Sequence, residues 1–138
     1  MERGCYTLHQ FDRATCQALV QRASELKAGA TPESHRGKAL GLLFLNPSLR
    51  TSASFQRAAA RLQLELVQLN GQGVWAMETA PGAIMDGNRA EHLKDAAAVL
   101  GRYVDLLAIR AFPGGEDLAT DLADPILRGF MDHAGVSA

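Results

Sequence analysis

Cysteine is scarce in this chain of 138 residues: Cys5 and Cys16 are the only two, and they form no Cys-x-x-Cys. Such a pair builds no disulfide framework, and even with His9 counted it matches no zinc spacing and lacks a fourth ligand, so no metal is expected. Charge of one sign is equally lacking. Lys and Arg total 14 against 15 Asp and Glu, a net charge of -1 with no basic block at either end, which removes nucleic acid and anionic membranes from the expected partners. No apolar run approaches spanning length, and Met1-Glu2-Arg3-Gly4-Cys5 carries no apolar targeting core; the expected home is the cytoplasm. Neither G-x-x-x-x-G-K-[ST] nor G-x-G-x-x-G occurs, so a nucleotide is not the expected guest. Internal repeats and low-complexity segments are absent too. What remains is 47% hydrophobic and 21% charged, enough apolar material for one domain with a true core.

The chain is organised around Gly41 to Leu62. Leu42-Leu43-Phe44-Leu45 is short, continuous and apolar, as suits a strand buried on both faces of a parallel sheet. The polar loop Asn46-Pro47-Ser48-Leu49-Arg50-Thr51 follows, and then Phe55, Ala58, Ala59 and Leu62 fall at i, i+3, i+4 and i+7, one helical face. Strand, loop and helix in that order put the loop at the carboxyl edge of the strand and the amino end of the helix. Free N–H groups and the macrodipole favour an anion there. Ser48, Arg50 and Thr51 add two hydroxyls and a guanidinium. Two readings stand level: a phosphate cradle, or a helix capped by Ser48, Thr51 or Ser52 with Arg50 solvated on its first turn.

Taken in order, the chain predicts a first helix capped by Asp12, with Cys16, Leu19, Val20, Ala23 and Leu26 inward and Gly29 ending it. A first strand begins near Ala39, the helix after Arg50 follows, and a second strand spans Leu64 to Leu69. Gly71 to Arg89 has breakers but no period, and its Val74-Trp75 and Ile84-Met85 pairs require cover. A third helix is expected from Ala90, with Leu93, Ala96, Ala97 and Leu100 on one face; a third strand runs from Val104 to Ile109. Leu118 and Leu122 suggest a helical turn, and Asp124-Pro125 starts a last helix with Ile126, Leu127, Phe130 and Met131 inward. His9, His35 and His133 read as surface residues. The alternation predicts an open parallel α/β sheet with helices on both faces. If the strand order is second, first, third, the ligand crevice lies between the first and third strands, bordered by Ser48-Leu49-Arg50-Thr51 and Arg110. Two guanidiniums and two hydroxyls there suit a compact oxyanion.

Phe44 to Thr51, Met85-Asp86-Gly87, Glu91-His92 and the run from Val99 through Arg102-Tyr103-Val104-Asp105 to Arg110-Ala111-Phe112-Pro113 resemble the aspartate/ornithine carbamoyltransferase superfamily. More narrowly they resemble its N-acylornithine branch, the acetylornithine and succinylornithine carbamoyltransferases, over nearly the whole chain. The resemblance implies carbamoyl transfer from carbamoyl phosphate to an N-acylornithine, without a cofactor, in arginine biosynthesis. It assigns Ser48, Leu49, Arg50 and Thr51 to the phosphate, Arg110 to the phosphate and the carbamoyl oxygen, and Arg50 and Arg110 to catalysis. It places Trp75 on a loop that enters a neighbouring subunit's site in a homotrimer. Ala90 is a possible contact for the acyl group. His92 is expected to anchor its loop and helix rather than to transfer a proton.

Two departures from that pattern are visible. Ser52 stands where the family usually has another arginine. The chain also stops where a strand carrying a His-Pro-x-Gln motif and then a second, amino-acid-binding domain would follow, so residues 1–138 read as an incomplete carbamoyl-phosphate-binding domain. Alone, such a chain is expected to be marginally stable, prone to self-association through a sheet edge, and inactive. An ordinary ornithine or aspartate carbamoyltransferase fragment, or a non-catalytic anion-binding or regulatory module, are the competing readings.

Overall fold

The structure, a computed structural model, describes residues 4, 5, 7–70, 77–80, 82–112, 114, 115 and 117–136. After a short 3-10 turn at Leu8–Gln10 come α1 (Arg13–Lys27), β1 (Ala39–Phe44), α2 (Leu49–Leu62), β2 (Glu65–Asn70), β3 (Met77–Glu78), β4 (Glu91–His92), α3 (Leu93–Leu100), β5 (Leu106–Arg110), α4 (Leu118–Ala123) and α5 (Pro125–Ala134). The main sheet has the order β2-β1-β5, all parallel, with Phe44 opposite Asn70 on one side and Arg110 on the other.

The apolar run of β1 is buried on both sides, as its lack of alternation predicts; Leu42 and Leu43 are each 1% exposed. Leu43 faces a core made with Leu93 and Ala97 of α3, Leu107 of β5 and Phe130 of α5. Gly41 shares that face, where a β-carbon would lie 3.0 Å from Leu107 and 3.1 Å from Val104, so glycine lets the strand approach its neighbours. Leu42 and Phe44 look the other way, toward Thr51 and Phe55 of α2. Helices therefore cover both faces of the sheet.

Helix starts follow their caps. Asp12 accepts from the Thr15 amide at 2.7 Å, Asp117 from Thr120 at 2.8 Å and Asp124 from Leu127 at 3.3 Å. Asp124 and Gly135, flanking α5, both take positive φ, 44° and 70°. Among the described residues no helix is long and apolar enough to cross a membrane.

Several expectations are corrected. The face predicted for α1 is not buried: Leu19 is 54% and Val20 68% exposed, because periodicity marks a surface that can be covered, not one that is. Ala58 of α2 is exposed, while Phe55, Ala59 and Leu62 of its predicted apolar face turn inward. The third helix starts at Leu93 instead of Ala90, since Glu91 and His92 pair in parallel with Met77 and Glu78. That two-residue ladder lies partly inside the stretch expected to be without structure. Strand β5 begins at Leu106, while Val104 reaches the core from the preceding turn. Ile84 (82% exposed) and Met85 (45%) have no cover among the described residues, and Val74-Trp75 lie outside them.

Candidate anion site

The chain leaves β1 toward α2 and β2 on one side, and later returns to β5 on the other, so strand order reverses between β1 and β5. Loops diverge at the carboxyl edge of such a pair and leave a crevice. Here two hydrogen bonds tie the loops together across it. The Leu45 amide donates to the Arg110 carbonyl at 2.9 Å, and the Phe112 amide donates to Asn46 Oδ1 at 2.7 Å.

Below that tie lies a cavity of about 220 Å³, lined by Phe44, Thr51, Phe55 and Arg110 among others. Ser48 is the N-cap of α2. Its Oγ accepts from the Thr51 amide at 3.4 Å and donates to Thr51 Oγ1 at 2.9 Å, while the Ser52 amide makes the first helical bond to the Ser48 carbonyl at 3.0 Å. Leu49 is 87% exposed, so its part in any binding rests on its backbone. The Arg110 Nε is buried and has no hydrogen-bond partner, and its guanidinium carbon stacks 4.4 Å from the centre of the Phe112 ring. A buried donor left without a partner costs free energy, and a cationic one in the same cavity as the first turn of a helix suits an anion chemically.

The sequence-predicted residues are thus divided. Thr51 and Arg110 share the cavity wall, with Ser48 bonded to Thr51. Arg50 sits on the first turn of α2, exposed and in no ion pair among the described residues. Trp75 lies outside the described residues. Ala90 is exposed, next to β4, on a loop whose backbone is pinned by Arg89 Nη1 donating to the Met77 carbonyl at 2.7 Å. His92 does anchor that loop to α3: Nδ1 accepts from the Lys94 amide at 3.1 Å, which leaves Nε2–H to donate to the Ala80 carbonyl at 3.0 Å.

A second cavity, about 280 Å³, is lined by Phe112, Asp117, Asp121 and Asp124 among others. Its carboxylates cap helices or, as Asp121 does, hold the Gly115 amide; Asp117 is held below the usual carboxylate range by the Thr120 hydroxyl and amide. Their charge opposes an oxyanion. No group of three or more His, Cys, Asp or Glu among the described residues is placed to hold a metal.

Sequence reasoning missed Asn46 and Phe112. Asn46-Pro47 reads as a turn, and nothing local signals a bond to a residue 66 positions away.

The family model described as aspartate/ornithine carbamoyltransferase, carbamoyl-P binding domain, matches residues 3–133. The chain belongs to that family. It is 39% identical over 127 residues, 91% of its length, to N-acetylornithine carbamoyltransferase of Xanthomonas campestris pv. campestris. N-succinylornithine carbamoyltransferase of Bacteroides thetaiotaomicron matches at 41% over 75% of the chain, and ornithine carbamoyltransferase of Gloeobacter violaceus at 38% over 92%. In three dimensions the chain is similar to an acetylornithine transcarbamylase complexed with acetylcitrulline, with TM-score 0.83, 38% identity and 92% of this chain covered. The chain spans 38% of the Xanthomonas relative and 38% of that solved chain. The carbamoyltransferase resemblance and the α/β carbamoyl-phosphate-binding fold expected from the sequence are both borne out.

Proposed function

We propose that this chain is the carbamoyl-phosphate-binding part of an enzyme that carbamoylates the side-chain amine of an N-acylornithine in arginine biosynthesis. One observation carries the reading: the unpartnered Arg110 donor and Thr51 line a single cavity at the amino end of α2. Phosphate fits that chemistry. The Leu49 and Arg50 amides are the ones the Ser48 cap leaves open, Thr51 supplies a hydroxyl, and Arg110 supplies charge and a planar fork.

In the reaction the neutral amine attacks the carbamoyl carbon, a tetrahedral oxyanion forms, and the carbon–oxygen bond to phosphate breaks as the departing phosphate takes up the amine proton. Fixed donors stabilise both the oxyanion and the departing phosphate without reorganising. Arg110, rooted at the end of a strand, is the residue fixed enough to serve both; Arg50 contributes charge from the rim. Ser52, in place of the family's usual arginine, makes the phosphate contact weaker by one cation.

The reading extends to a cytoplasmic homotrimer in which Trp75 completes a neighbouring subunit's site, with Ala90 beside the acyl group. Support for it is the resemblance and the uncovered Ile84 and Met85 near that loop. Residues 1–138 then form a truncated carbamoyl-phosphate-binding domain, and tested by itself this portion is expected to bind phosphate without forming a citrulline derivative.

Titration of the purified chain with inorganic phosphate, followed by 31P NMR, tests the reading. Saturable binding is expected, weakened roughly ten- to hundredfold in Arg110→Met, as loss of a charge-assisted hydrogen bond predicts. Arg50→Met should weaken it less. Absence of saturable binding, or an Arg110→Met variant that binds as well as the parent, would sink the assignment.

A further inference from the structure

Arg110 is held by a ring that the other loop holds in turn. Phe112 is 55% exposed, yet its ring lies against the Arg110 guanidinium at 4.4 Å from the centroid to Cζ. The Phe112 amide is bound by Asn46 Oδ1 at 2.7 Å, and Asn46 immediately precedes the loop that caps α2. A guanidinium prefers to lie flat over an aromatic face, so the ring fixes the plane of the fork and leaves its edge for hydrogen bonding. The Arg110 Nε is buried and makes no hydrogen bond to the protein.

We propose that Asn46 and Phe112 are positioning residues of the anion site: Asn46 clasps the two crevice loops together through the Phe112 amide, and the Phe112 ring aims the Arg110 fork into the cavity beside Thr51. This rests on the anion-site reading given above. It adds that the aim of Arg110 is set by a contact between the loops after β1 and β5, so a change at Asn46 is felt at a guanidinium it does not touch.

The test uses the whole chain, inorganic phosphate as the probe, and the Arg110 Nε–H resonance in 1H–15N spectra, assigned by its loss in Arg110→Lys. Ring current from Phe112 should place that proton upfield in the parent chain. Phe112→Leu, at an exposed position, should remove the upfield displacement and weaken phosphate binding roughly two- to fivefold, the scale of a partly exposed cation–π contact. Phe112→Trp should keep both, which a merely structural role for bulk would not distinguish from leucine. Asn46→Ala should move the same resonance and weaken binding to a similar degree. If the parent binds phosphate while Phe112→Leu leaves the resonance and the affinity unchanged, the positioning role is wrong and the anion site stands. If Asn46→Ala alone leaves both unchanged, the clasp is wrong. Failure of the parent to bind phosphate defeats the site itself.

Discussion

Ser48 and Thr51 bond to each other twice: the Thr51 amide donates to Ser48 Oγ at 3.4 Å, and the Ser48 hydroxyl donates to Thr51 Oγ1 at 2.9 Å. Capping and anion binding at α2 are therefore compatible, because the cap uses the third amide of the helix and leaves the Leu49 and Arg50 amides facing outward.

The two roles separate by substitution. Ser48→Ala removes the cap and should cost about 1 kcal/mol of stability in urea titration. Ser48→Asp keeps a capping oxygen and suits the dipole, so stability should hold, but its charge sits where phosphate would bind and should abolish binding in the same 31P titration. An aspartate variant that binds phosphate normally would leave only the cap.

Gly101 marks a second tight place. A β-carbon there would lie 1.7 Å from the Ala134 carbonyl oxygen, and backbone cannot move aside as a side-chain end can. Gly101→Ala should therefore push α3 off α5 and cost at least roughly 3 kcal/mol, the upper range for overpacking. Gly87→Ala, where the added atom meets open space, is the control and should change the thermal midpoint little.

What was legible in the sequence was whatever a short stretch dictates. Leu42 to Leu45 could be read as a doubly covered strand because both residue parities are apolar, and the caps at Asp12 and Asp124 because each needs only a side chain and an amide three residues on, whereas the cap of α2 was left open among Ser48, Thr51 and Ser52 until the structure chose Ser48. The strand order was only one supposition open to the sequence; the structure supplies the β2-β1-β5 order that brings the Thr51 and Arg110 segments together. The rest depended on tertiary contacts. The β3–β4 ladder is two residues long and has no period, the α1 face has the right spacing but no residue of it is fully buried among the described residues, and the Asn46–Phe112 bond joins distant loops. Arg50 and Arg110 looked equivalent on paper; one stands on an exposed helical turn and the other against a ring, with a buried unmet donor.

Acid stability should report the amino edge of the sheet. Asp105 accepts from Lys38 Nζ at 2.6 Å and from the Ala39 amide at 2.9 Å, and these contacts, the lysine first, hold its carboxyl below the usual aspartate range. A folded-state value below the unfolded one means stabilisation fully present above the ordinary aspartate value of about 3.9 and lost as pH falls through the lowered folded value. Asp105→Asn should thus be less stable than the parent at neutral pH, with the two denaturation midpoints converging in acid below pH 4. A stability difference that is constant with pH would show that the carboxylate charge plays no part.

Ala90 offers a test of acyl choice that leaves the fold alone, since it is exposed and the backbone beside it is fixed by the β3–β4 pairing and by Arg89. Joining residues 3–133 to the remaining portion of the Xanthomonas N-acetylornithine carbamoyltransferase would give a chain in which acetyl and succinyl substrates can be compared. Ala90→Leu adds bulk, and Ala90→Glu adds bulk and a charge that repels the succinyl carboxylate. Both should lower the ratio of kcat/KM for N-succinylornithine to that for N-acetylornithine, leucine by roughly tenfold as for a few methylenes of misfit, glutamate by more. An equal fall would assign the effect to size alone, and an unchanged ratio in both variants would remove Ala90 from the acyl site.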